Sequence, residues 1–437
     1  MDWFKRRHRL ELKGACIMAV AALVGSACTS AGNSDARVTA PSDPSQSTAT
    51  TAVIEGGTAP GGPAAVASWN LDAALAADAN CAQPVTGDPL RIGFAADLSE
   101  LGSFSDGPGS QSALYLGKLI NCSGGFNGRP VEVLVQDVSG TPTQSRDATK
   151  KLIDAGVQVI IGPPFPDIGF RVLQVTNGAI PVLFMASTEE ALGDSTDLGF
   201  QVAFNDTAAS TAAAKFALTQ GWTRAVTFSL TGDPYFGYNT LIFSGVFSSN
   251  GGKMLGDYPF VPGETTDFSA AVAAIAALPE PPDVIYTPML SFQVVALRQQ
   301  LTAAGINVEY LMSDAFEITR GYDLAGTDGI FHVTHSFPAE GSRALALENS
   351  LAGAAGGPSG APSMVALAGD AMSVIAAAYY QTQSADPKVL GAAIPTLNNV
   401  QGVTGLLSYN GSGSPTKNIY VHKVVDGKPT LAATIDG

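Results

Sequence analysis

Hydroxyl residues follow a short apolar run in the middle of the chain, within residues 179–192. Residues 180–185 are apolar and have the length of one buried parallel strand. Ala186, Ser187 and Thr188 then turn the chain towards a helical start. Hydroxyl groups at a helix start can hold a carboxylate, because free backbone N–H groups and the helix dipole point at the same spot. Ser187 and Glu190 also form a capping-box pattern, which needs no ligand, so a ligand site and a helix cap both remain open.

Few residues in the sequence could catalyse a reaction or bind a metal. The four histidines are His8, His332, His335 and His422. His332 and His335 would point to opposite faces of a strand, so we interpret them as structural residues of a crossover and not as a metal pair. The sequence contains no G-x-S-x-G motif, no P-loop, no G-x-G-x-x-G after a strand and no C-x-x-C. We therefore predict a protein without catalytic residues, metal or cofactor.

Length and charge exclude several other classes. The chain has 437 residues, enough for two or three domains, and 46% of them are hydrophobic while 14% are charged. The formal net charge is −15. Residues 1–27 carry five basic and two acidic side chains, so the remainder carries −18. A surface of this sign is not expected to bind nucleic acid or to dock electrostatically on anionic lipid.

The N-terminus has the pattern of an export signal. A basic segment, residues 5–9, precedes residues 15–27, an apolar stretch too short for a comfortable membrane span. Small residues precede Cys28, and the segment resembles a bacterial lipoprotein signal, although Gly25 departs from the usual aliphatic residue. The resemblance implies a signal peptide at 1–27, lipidation of Cys28 and anchoring to the outer face of the cell membrane. An ordinary cleaved signal peptide and an uncleaved anchor are the alternatives.

Beyond Cys28, the amino-acid composition and the hydrophobic pattern change near residue 88. Residues 28–87 are rich in Ala, Ser, Thr, Pro and Gly and predict a flexible tether, with a short helix possible at 69–79. From residue 88, strands alternate with helices, which predicts βαβ units and parallel sheets. The first helix is expected at 111–120, after a loop at 97–106. Residues 400–409 and 417–425 predict a hairpin around an Asn-Gly-Ser-Gly turn.

Two similar α/β halves predict two lobes with a ligand cleft between them, because ligands of parallel sheets bind beyond the strand C-termini. The loops that follow strands contain the residues of interest. These loops are 97–106, 162–168, 186–190, 230–236, 288–292 and 312–316.

Eight motifs follow one another along the chain: Arg91-Ile-Gly-Phe, Gly124-Gly-Phe-Asn-Gly-Arg, Val157-Gln-Val-Ile-Ile-Gly-Pro, Ile180-Pro-Val, Ala186-Ser-Thr, Phe200-Gln-Val-Ala-Phe-Asn-Asp, Asp233-Pro-Tyr-Phe-Gly and Gly402-Val-Thr-Gly. Their order and spacing resemble those of the branched-chain amino-acid-binding proteins, the type I periplasmic binding proteins of ABC importers. The resemblance covers residues 88–437.

The resemblance implies two Rossmann-like lobes joined by three crossovers. One lobe would contain residues 88–205 plus 335–405, and the other 206–333 plus 407–437. An amino-acid ligand would place its carboxylate on Ala186, Ser187 and Thr188, and its ammonium on Asp314 of the other lobe. The remaining ligand-binding positions are Phe104, Phe165, Asp206, Phe236 and Leu290. A surface location, solvated and without a ligand, is the alternative for Asp314.

The sequence departs from the family pattern at three places. A serine usually contributes to the carboxylate site after residue 162, where this chain has Pro163-Pro-Phe-Pro-Asp, with prolines that lack N–H donors. Phe236 and Leu290 replace tyrosine-type positions, and Gly369 stands where many relatives have an aromatic residue. The pocket is therefore expected to be more apolar and roomier, and a less polar carboxylate or an amide fits as well as an α-amino acid.

The implied function is delivery of a small ligand to the permease subunits of an ABC importer. A ligand-sensing ectodomain without import is the alternative, which the sequence does not separate from the first. Export would place Cys81 and Cys122 in an oxidising space. Because they lie just before the first strand and at the end of the first helix of a βαβ unit, on the same edge of the sheet, we predict a disulfide between them.

Overall fold

The computed structural model describes residues 69–195, 198–318 and 321–437. The signal peptide, Cys28 and the tether up to residue 68 lie outside the described residues. The helices are α1 (Leu71–Leu75), α2 (Ser103–Cys122), α3 (Pro142–Asp154), α4 (Pro166–Thr176), α5 (Glu190–Gly193), α6 (Asp206–Thr219), α7 (Tyr238–Ser249), α8 (Ser269–Ala276), α9 (Ser291–Ala303), α10 (Ala315–Ile318), α11 (Arg343–Ala355), α12 (Pro362–Thr382) and α13 (Pro387–Ala393).

The strands alternate with these helices through most of the chain. They are β1 (Leu90–Ala96), β2 (Val131–Asp137), β3 (Val159–Gly162), β4 (Val182–Phe184), β5 (Gly199–Gln201), β6 (Arg224–Ser229), β7 (Lys253–Pro259), β8 (Val284–Thr287), β9 (Glu309–Met312), β10 (Phe331–Thr334), β11 (Val400–Gln401), β12 (Leu406–Leu407), β13 (Ile419–Val425) and β14 (Lys428–Ile435).

The first lobe is built on a parallel sheet with the strand order β2-β1-β3-β4-β5. Successive side chains of a strand point to opposite faces, and helices cover both faces of this sheet. Val159 and Ile161 of β3 belong to the core under α2 and α12, while Ile160 belongs to the core under α3 and α4. Helix α12 is long and apolar enough to cross a membrane by length and composition, but nearly all of it is buried in this core.

The second lobe is built on a sheet with the strand order β14-β13-β10-β9-β8-β6-β7. Strands β10, β9, β8, β6 and β7 are parallel, and β13 and β14 add an antiparallel edge. Its core is rich in aromatic side chains, among which Phe243 stacks on Tyr286 with ring centroids 4.2 Å apart.

Three connections run between the lobes, at residues 202–205, 335–342 and 408–418. The buried Lys417 of the third connection contacts the first connection and forms an ion pair with α12. Lys417 Nζ of the third connection lies 2.8 Å from Asp370 Oδ2 of α12 and 3.4 Å from the carbonyl oxygen of Val202 in the first. Thr404 donates from its backbone N–H and its hydroxyl to the same carboxylate. The predicted fold class, two α/β lobes joined by three crossovers, is confirmed.

The expected hairpin of residues 400–409 with 417–425 is wrong as a pairing of two strands, although Ser408 and Thr416 form a single antiparallel bridge across the Asn410 turn. Strand β11 pairs with β12, whereas β13 pairs with β10 and with β14. The β13–β14 turn contains Asp426 and Gly427, which both have positive φ angles, 52° and 69°. An Asp-Gly turn with two positive φ angles matches the twist of a hairpin, so this dipeptide directs the β13–β14 pairing, whereas the Asn410 turn supports only the bridge between Ser408 and Thr416.

The expected tether extends too far towards the C-terminus, because residues 69–87 pack on the first lobe. Leu71 is buried in the core of that lobe, and the Trp69 ring lies 5.2 Å from that of Phe126. Asp72 forms an ion pair with Arg343 of α11 at 2.6 Å. This segment belongs to the folded domain because its short helix α1 has an apolar face that α2 and α11 cover.

Cys81 and Cys122 form a disulfide in the structure, with Cα atoms 5.8 Å apart and 41 positions between them in sequence. Replacing Cys122 with Ser should lower the free energy of unfolding by about 2–4 kcal/mol, because the unfolded chain gains the entropy of a loop of this length. Urea unfolding with and without reductant measures the effect. Reductant should bring the wild-type protein to the level of Cys122→Ser and leave the variant unchanged. Two alkylatable thiols at Cys81 and Cys122 in the folded, unreduced protein would contradict the disulfide.

Candidate ligand-binding cleft

The loop after β4 carries Ser187 and Thr188, but not at a helix start. Helix α5 has four residues and begins after Glu189, whose side chain accepts the Ala191 N–H. The predicted capping box of Ser187 and Glu190 is therefore wrong. Helix α5 therefore adds little to the binding of an anion, because a single turn has only a small dipole and few free N–H groups.

Gln201 fixes the position of this loop, and sequence reasoning did not identify it. Its side-chain amide donates to the carbonyl oxygens of Ser187, at 3.0 Å, and Glu189, at 3.2 Å. Its side-chain oxygen accepts from the Ser414 hydroxyl. The Tyr409 hydroxyl donates to the Gln201 backbone carbonyl oxygen at 2.7 Å. The buried amide thus links the loop of the first lobe to the third crossover.

Asp314 follows β9 of the second lobe and is buried, so the alternative of a solvated surface acid is wrong. The Tyr235 hydroxyl donates to Asp314 Oδ1 at 2.6 Å. Burial, with the carboxylates of Asp314 and Asp206, raises the pKa of Tyr235 well above its ordinary value, which keeps this hydroxyl protonated.

His335 lies in the second crossover and contacts the other oxygen of the same carboxylate. Its Nε2 lies 3.3 Å from Asp314 Oδ2, and its ring stacks on Phe204 at 3.8 Å. Burial lowers the pKa of His335, although Asp314 partly offsets this, so the ring is neutral at pH 7. Because Asp314 only accepts, Nε2 carries the proton and Nδ1 has no hydrogen-bond partner. His335 is therefore a positioning residue, while His332 points to the other face of β10.

Asp206 is the first residue of α6, directly after the first crossover. It lies near Thr188 of the first lobe and Asp314 of the second lobe. Its backbone N–H donates to the Thr188 carbonyl oxygen at 3.0 Å, and Asn239 donates to its Oδ1 at 3.0 Å. Burial raises the pKa of the Asp206 carboxyl well above its ordinary value, the Thr188 hydroxyl lowers it, and the Asp314 carboxylate raises it further. The structure therefore brings Thr188, Asp206 and Asp314 into one cluster.

The polar atoms of this cluster are shielded from solvent and incompletely paired. Ser187, Thr188, Asp206 and Asp314 are 2%, 5%, 1% and 4% exposed. Within the part of the chain that the structure describes, Ser187 Oγ and Asp206 Oδ2 are buried without a hydrogen-bond partner. Because buried polar atoms are normally paired, these two atoms indicate a place for a polar ligand or water.

The predicted apolar wall residues lie on both lobes. Phe236 and Leu290 are buried, as is Ala186 of the predicted carboxylate loop, and Phe236 follows Tyr235 directly, with ring centroids 5.1 Å apart. Phe104 and Phe165 are half-buried on the first lobe. Phe104 lies in the first turn of α2 and not in the expected loop, because α2 begins at Ser103. The contribution of these five side chains to a ligand remains a prediction.

The proline-rich loop and Gly369 differ in what they do to the pocket. Phe165 precedes α4, Pro166 occupies the first position of the helix and Asp167 lies in the first turn. Asp167 thus adds a negative charge to this first turn, where it forms an ion pair with Arg171 at 3.2 Å. Gly369 does not enlarge the pocket as expected, because a Cβ added there would lie 2.4 Å from Val403 Cγ2. The space beside Gly369 is filled by the neighbouring segment.

A separate cavity of about 480 Å³ opens in the second lobe beside β6, β7 and α7. Its lining includes Thr227, Asp257 and Leu241, and none of the predicted binding residues. We prefer the buried polar cluster at the crossovers as the ligand site, because it contains two buried polar atoms that lack partners among the described residues, Ser187 Oγ and Asp206 Oδ2.

Comparisons with known proteins agree with the fold. A family model described as periplasmic binding protein matches residues 89–429. No match is found among curated proteins. The structure is similar to a leucine-binding protein of Thermotoga maritima, with a TM-score of 0.64 and 22% identity over 79% of this chain and 99% of that one.

Two further solved structures have the same architecture. A solute-binding protein of an ABC transporter from Rhodopseudomonas palustris, solved with p-hydroxybenzoic acid, gives a TM-score of 0.67 and 22% identity over 80% of this chain and 97% of that one. A leucine-, isoleucine-, valine-, threonine- and alanine-binding protein of Brucella ovis gives 0.68 and 18% identity over 80% and 96%. At these identities the likeness establishes the fold alone.

Proposed function

The chain belongs to the periplasmic binding protein family, as its motifs predicted, and on this premise we propose that it is an extracytoplasmic solute-binding protein, anchored by lipid at Cys28. It would deliver a small ligand, an amino acid or a related carboxylate or amide, to an ABC importer. Support comes from two similar structures, one named as a leucine-binding protein and the other as a solute-binding protein of an ABC transporter in complex with p-hydroxybenzoic acid. Since these are binding proteins, we assign no catalytic role to any residue.

The polar cluster between the lobes is the observation that carries this proposal. Ser187 and Thr188 belong to the first lobe, Asp314 belongs to the second, and Asp206 lies at the junction. Hydroxyl and carboxylate groups on facing walls can bind the two ends of one small polar molecule. Because the cluster is shielded from water, each hydrogen bond to a ligand contributes more than it would at a surface.

Thr188→Ala and Asp314→Ala should each weaken ligand binding by about 1–3 kcal/mol, because each removes one partner of a buried hydrogen bond. A thermal-shift screen of amino acids, organic acids and small amides first identifies the ligand, since a tight ligand stabilises the folded state by mass action. Calorimetry then measures the variants, and uptake of labelled ligand by cells carrying them should fall in parallel.

Thr227→Ala is the matched control, because Thr227 is a buried threonine of the second lobe that donates to Asp257 at 2.8 Å, away from the cluster. It should leave ligand affinity unchanged. Wild-type affinity in both Thr188→Ala and Asp314→Ala would refute the site. Normal binding by Asp314→Ala alone would mean that the ligand has no group for this carboxylate.

Cys28→Ala should release the protein from the membrane fraction, because lipid on this residue is the proposed anchor and two acyl chains hold stably where one does not. Fractionation of cells that express the variant, with the size of the product, measures this. A variant that stays in the membrane fraction at the processed size of the wild type would contradict lipidation.

A further inference from the structure

The charge of the cleft bears on the class of ligand, an inference that rests on the proposed function. Asp206 and Asp314 lie close enough for the Asp314 carboxylate to raise the pKa of Asp206, and Glu190 acts on Asp206 in the same direction. Within the described ranges, neither Asp206 nor Asp314 forms an ion pair with a lysine or an arginine. A ligand that brings a positive charge or an N–H donor would stabilise the ionised form of Asp206, whereas an anionic ligand would disfavour it.

The unpaired atom at Asp206 also calls for a hydrogen-bond donor. Asp206 Oδ1 accepts from Asn239, and the Thr188 hydroxyl is engaged with this carboxyl, but no described residue meets the buried Oδ2 in hydrogen-bonding geometry. A ligand that donates an N–H to Oδ2 satisfies this atom and offsets the cost of burying the carboxylate. Both oxygens of Asp314 have protein partners, Tyr235 and His335, which hold the carboxylate in place beside this position.

The cluster has fewer donors that could bind a ligand carboxylate than acceptors that could bind a ligand N–H. Pro163, Pro164 and Pro166 have no N–H to donate, and Asp167 already places a carboxylate in the first turn of α4. Helix α5 is too short to add a dipole. Among the described residues, the remaining donor near the cluster is the Ser187 hydroxyl, which also suits an amide oxygen, because the Thr188 hydroxyl is engaged with the Asp206 carboxyl.

We propose that the ligand is a small organic amine or primary amide with an apolar group, which donates its N–H groups to Asp206 and Asp314 and needs no free carboxylate. Asp206 is thereby a specificity-determining residue, in addition to Asp314. The Ser187 hydroxyl binds the carbonyl oxygen of the amide where one is present.

Matched series of small molecules test this on the purified full-length protein. Each series keeps one apolar group, isobutyl, benzyl or methyl, and consists of the amino acid, its amide, the amine without the carboxylate and the acid without the amine. Affinity is measured by calorimetry for the wild type and for Asp206→Asn, which keeps the shape of the side chain and can still accept from Asn239. Asp257→Asn is the control, because Asp257 accepts only from Thr227 and Ser229 among its described hydrogen-bond partners.

In at least one series, removing the amine should weaken binding more than removing the carboxylate, and the amide should bind at least as tightly as the amino acid. Asp206→Asn should weaken amine and amide binding about tenfold or more, a loss of about 1.4 kcal/mol or more, while Asp257→Asn should leave it within about twofold. If Asp206→Asn does not fold, the wild-type comparison alone decides.

The inference is overturned if removing the carboxylate costs more affinity than removing the amine in every series that binds, or if Asp206→Asn binds amines as the wild type does. It is also overturned if no amine or amide binds. If acids or amino acids bind but the amines without a carboxylate and the amides do not, the proposed function stands and only this inference fails. If no compound of the wider screen binds, both the inference and the proposed function fail.

Discussion

Replacing Lys417 with Met should lower the free energy of unfolding by about 3–5 kcal/mol, because it leaves the Asp370 carboxylate buried without its counter-ion. The side chains of Lys417 and Asp370 are 1% and 0% exposed, so no water is at hand to replace the lost ammonium. Lys417 also contacts the Val202 carbonyl oxygen, so the variant loosens two crossovers at once. Urea unfolding followed by circular dichroism measures the loss.

Lys253→Met is the matched control, since Lys253 pairs with Glu280 at 2.9 Å but both side chains are more than half exposed. It should cost less than about 1 kcal/mol. Adding Asp370→Asn to Lys417→Met removes the uncompensated charge while keeping an acceptor for Thr404, and should restore part of the loss. Equal stability of Lys417→Met and Lys253→Met would show that the buried pair contributes little.

The protein should lose stability as the pH falls from about 6.5 to about 4, and His332 should account for about 3 kcal/mol of that loss. Burial lowers the pKa of His332 to about 4, against its ordinary value near 6.5. The unfolded chain therefore binds a proton in this range that the folded chain does not. The contribution is complete above the unfolded pKa and disappears as the pH falls towards the folded pKa.

The hydrogen bonds of His332 agree with a neutral ring. Nδ1 lies 3.2 Å from the Val333 carbonyl oxygen and so carries the proton, and Nε2 accepts from the Tyr322 hydroxyl at 2.6 Å. Gln can accept from the same hydroxyl and does not titrate. His332→Gln should therefore flatten the curve of unfolding free energy against pH between 6.5 and 4.

The difference between wild type and His332→Gln reports on this histidine and on its effect on His422, whose pKa is lowered by burial and by His332. Burial raises the pKa values of Asp106, Asp206 and Glu317, which acts in the opposite direction on acid stability, but the two proteins share these groups. Curves of equal slope for the two proteins would refute the assignment to His332.

Periodicity and turn residues were enough to predict most of the parallel strands and the fold class. They were not enough for α2, whose first eight residues include Gly107, Pro108 and Gly109 and have little helical propensity. The helix forms there because it packs closely on the sheet: a Cβ added to Gly109 would lie 2.2 Å from Met185 Cε. Tertiary contact of this kind leaves no periodic signal in the sequence.

The candidate site was predictable in position and not in its bonding. Thr188 and Asp314 were placed correctly after β4 and β9, because strand ends can be located from apolar runs. Tyr235, His335 and Gln201 were not identified, since each acts through a partner far away in sequence. The pairing of Tyr235 with Asp314 joins residues 79 positions apart. Only the folded chain reveals such partners.

The position of Asp370 in α12 matters before the protein has folded. Helix α12 is long and apolar enough to span a membrane, so an unfolded chain that crosses the membrane during the proposed export presents a segment able to insert into lipid. An aspartate near the middle of such a segment adds about 2.5–3.5 kcal/mol to the free energy of insertion. Asp370 should thus favour passage over lateral escape into the bilayer, and Lys417 makes its burial tolerable once the domain has formed.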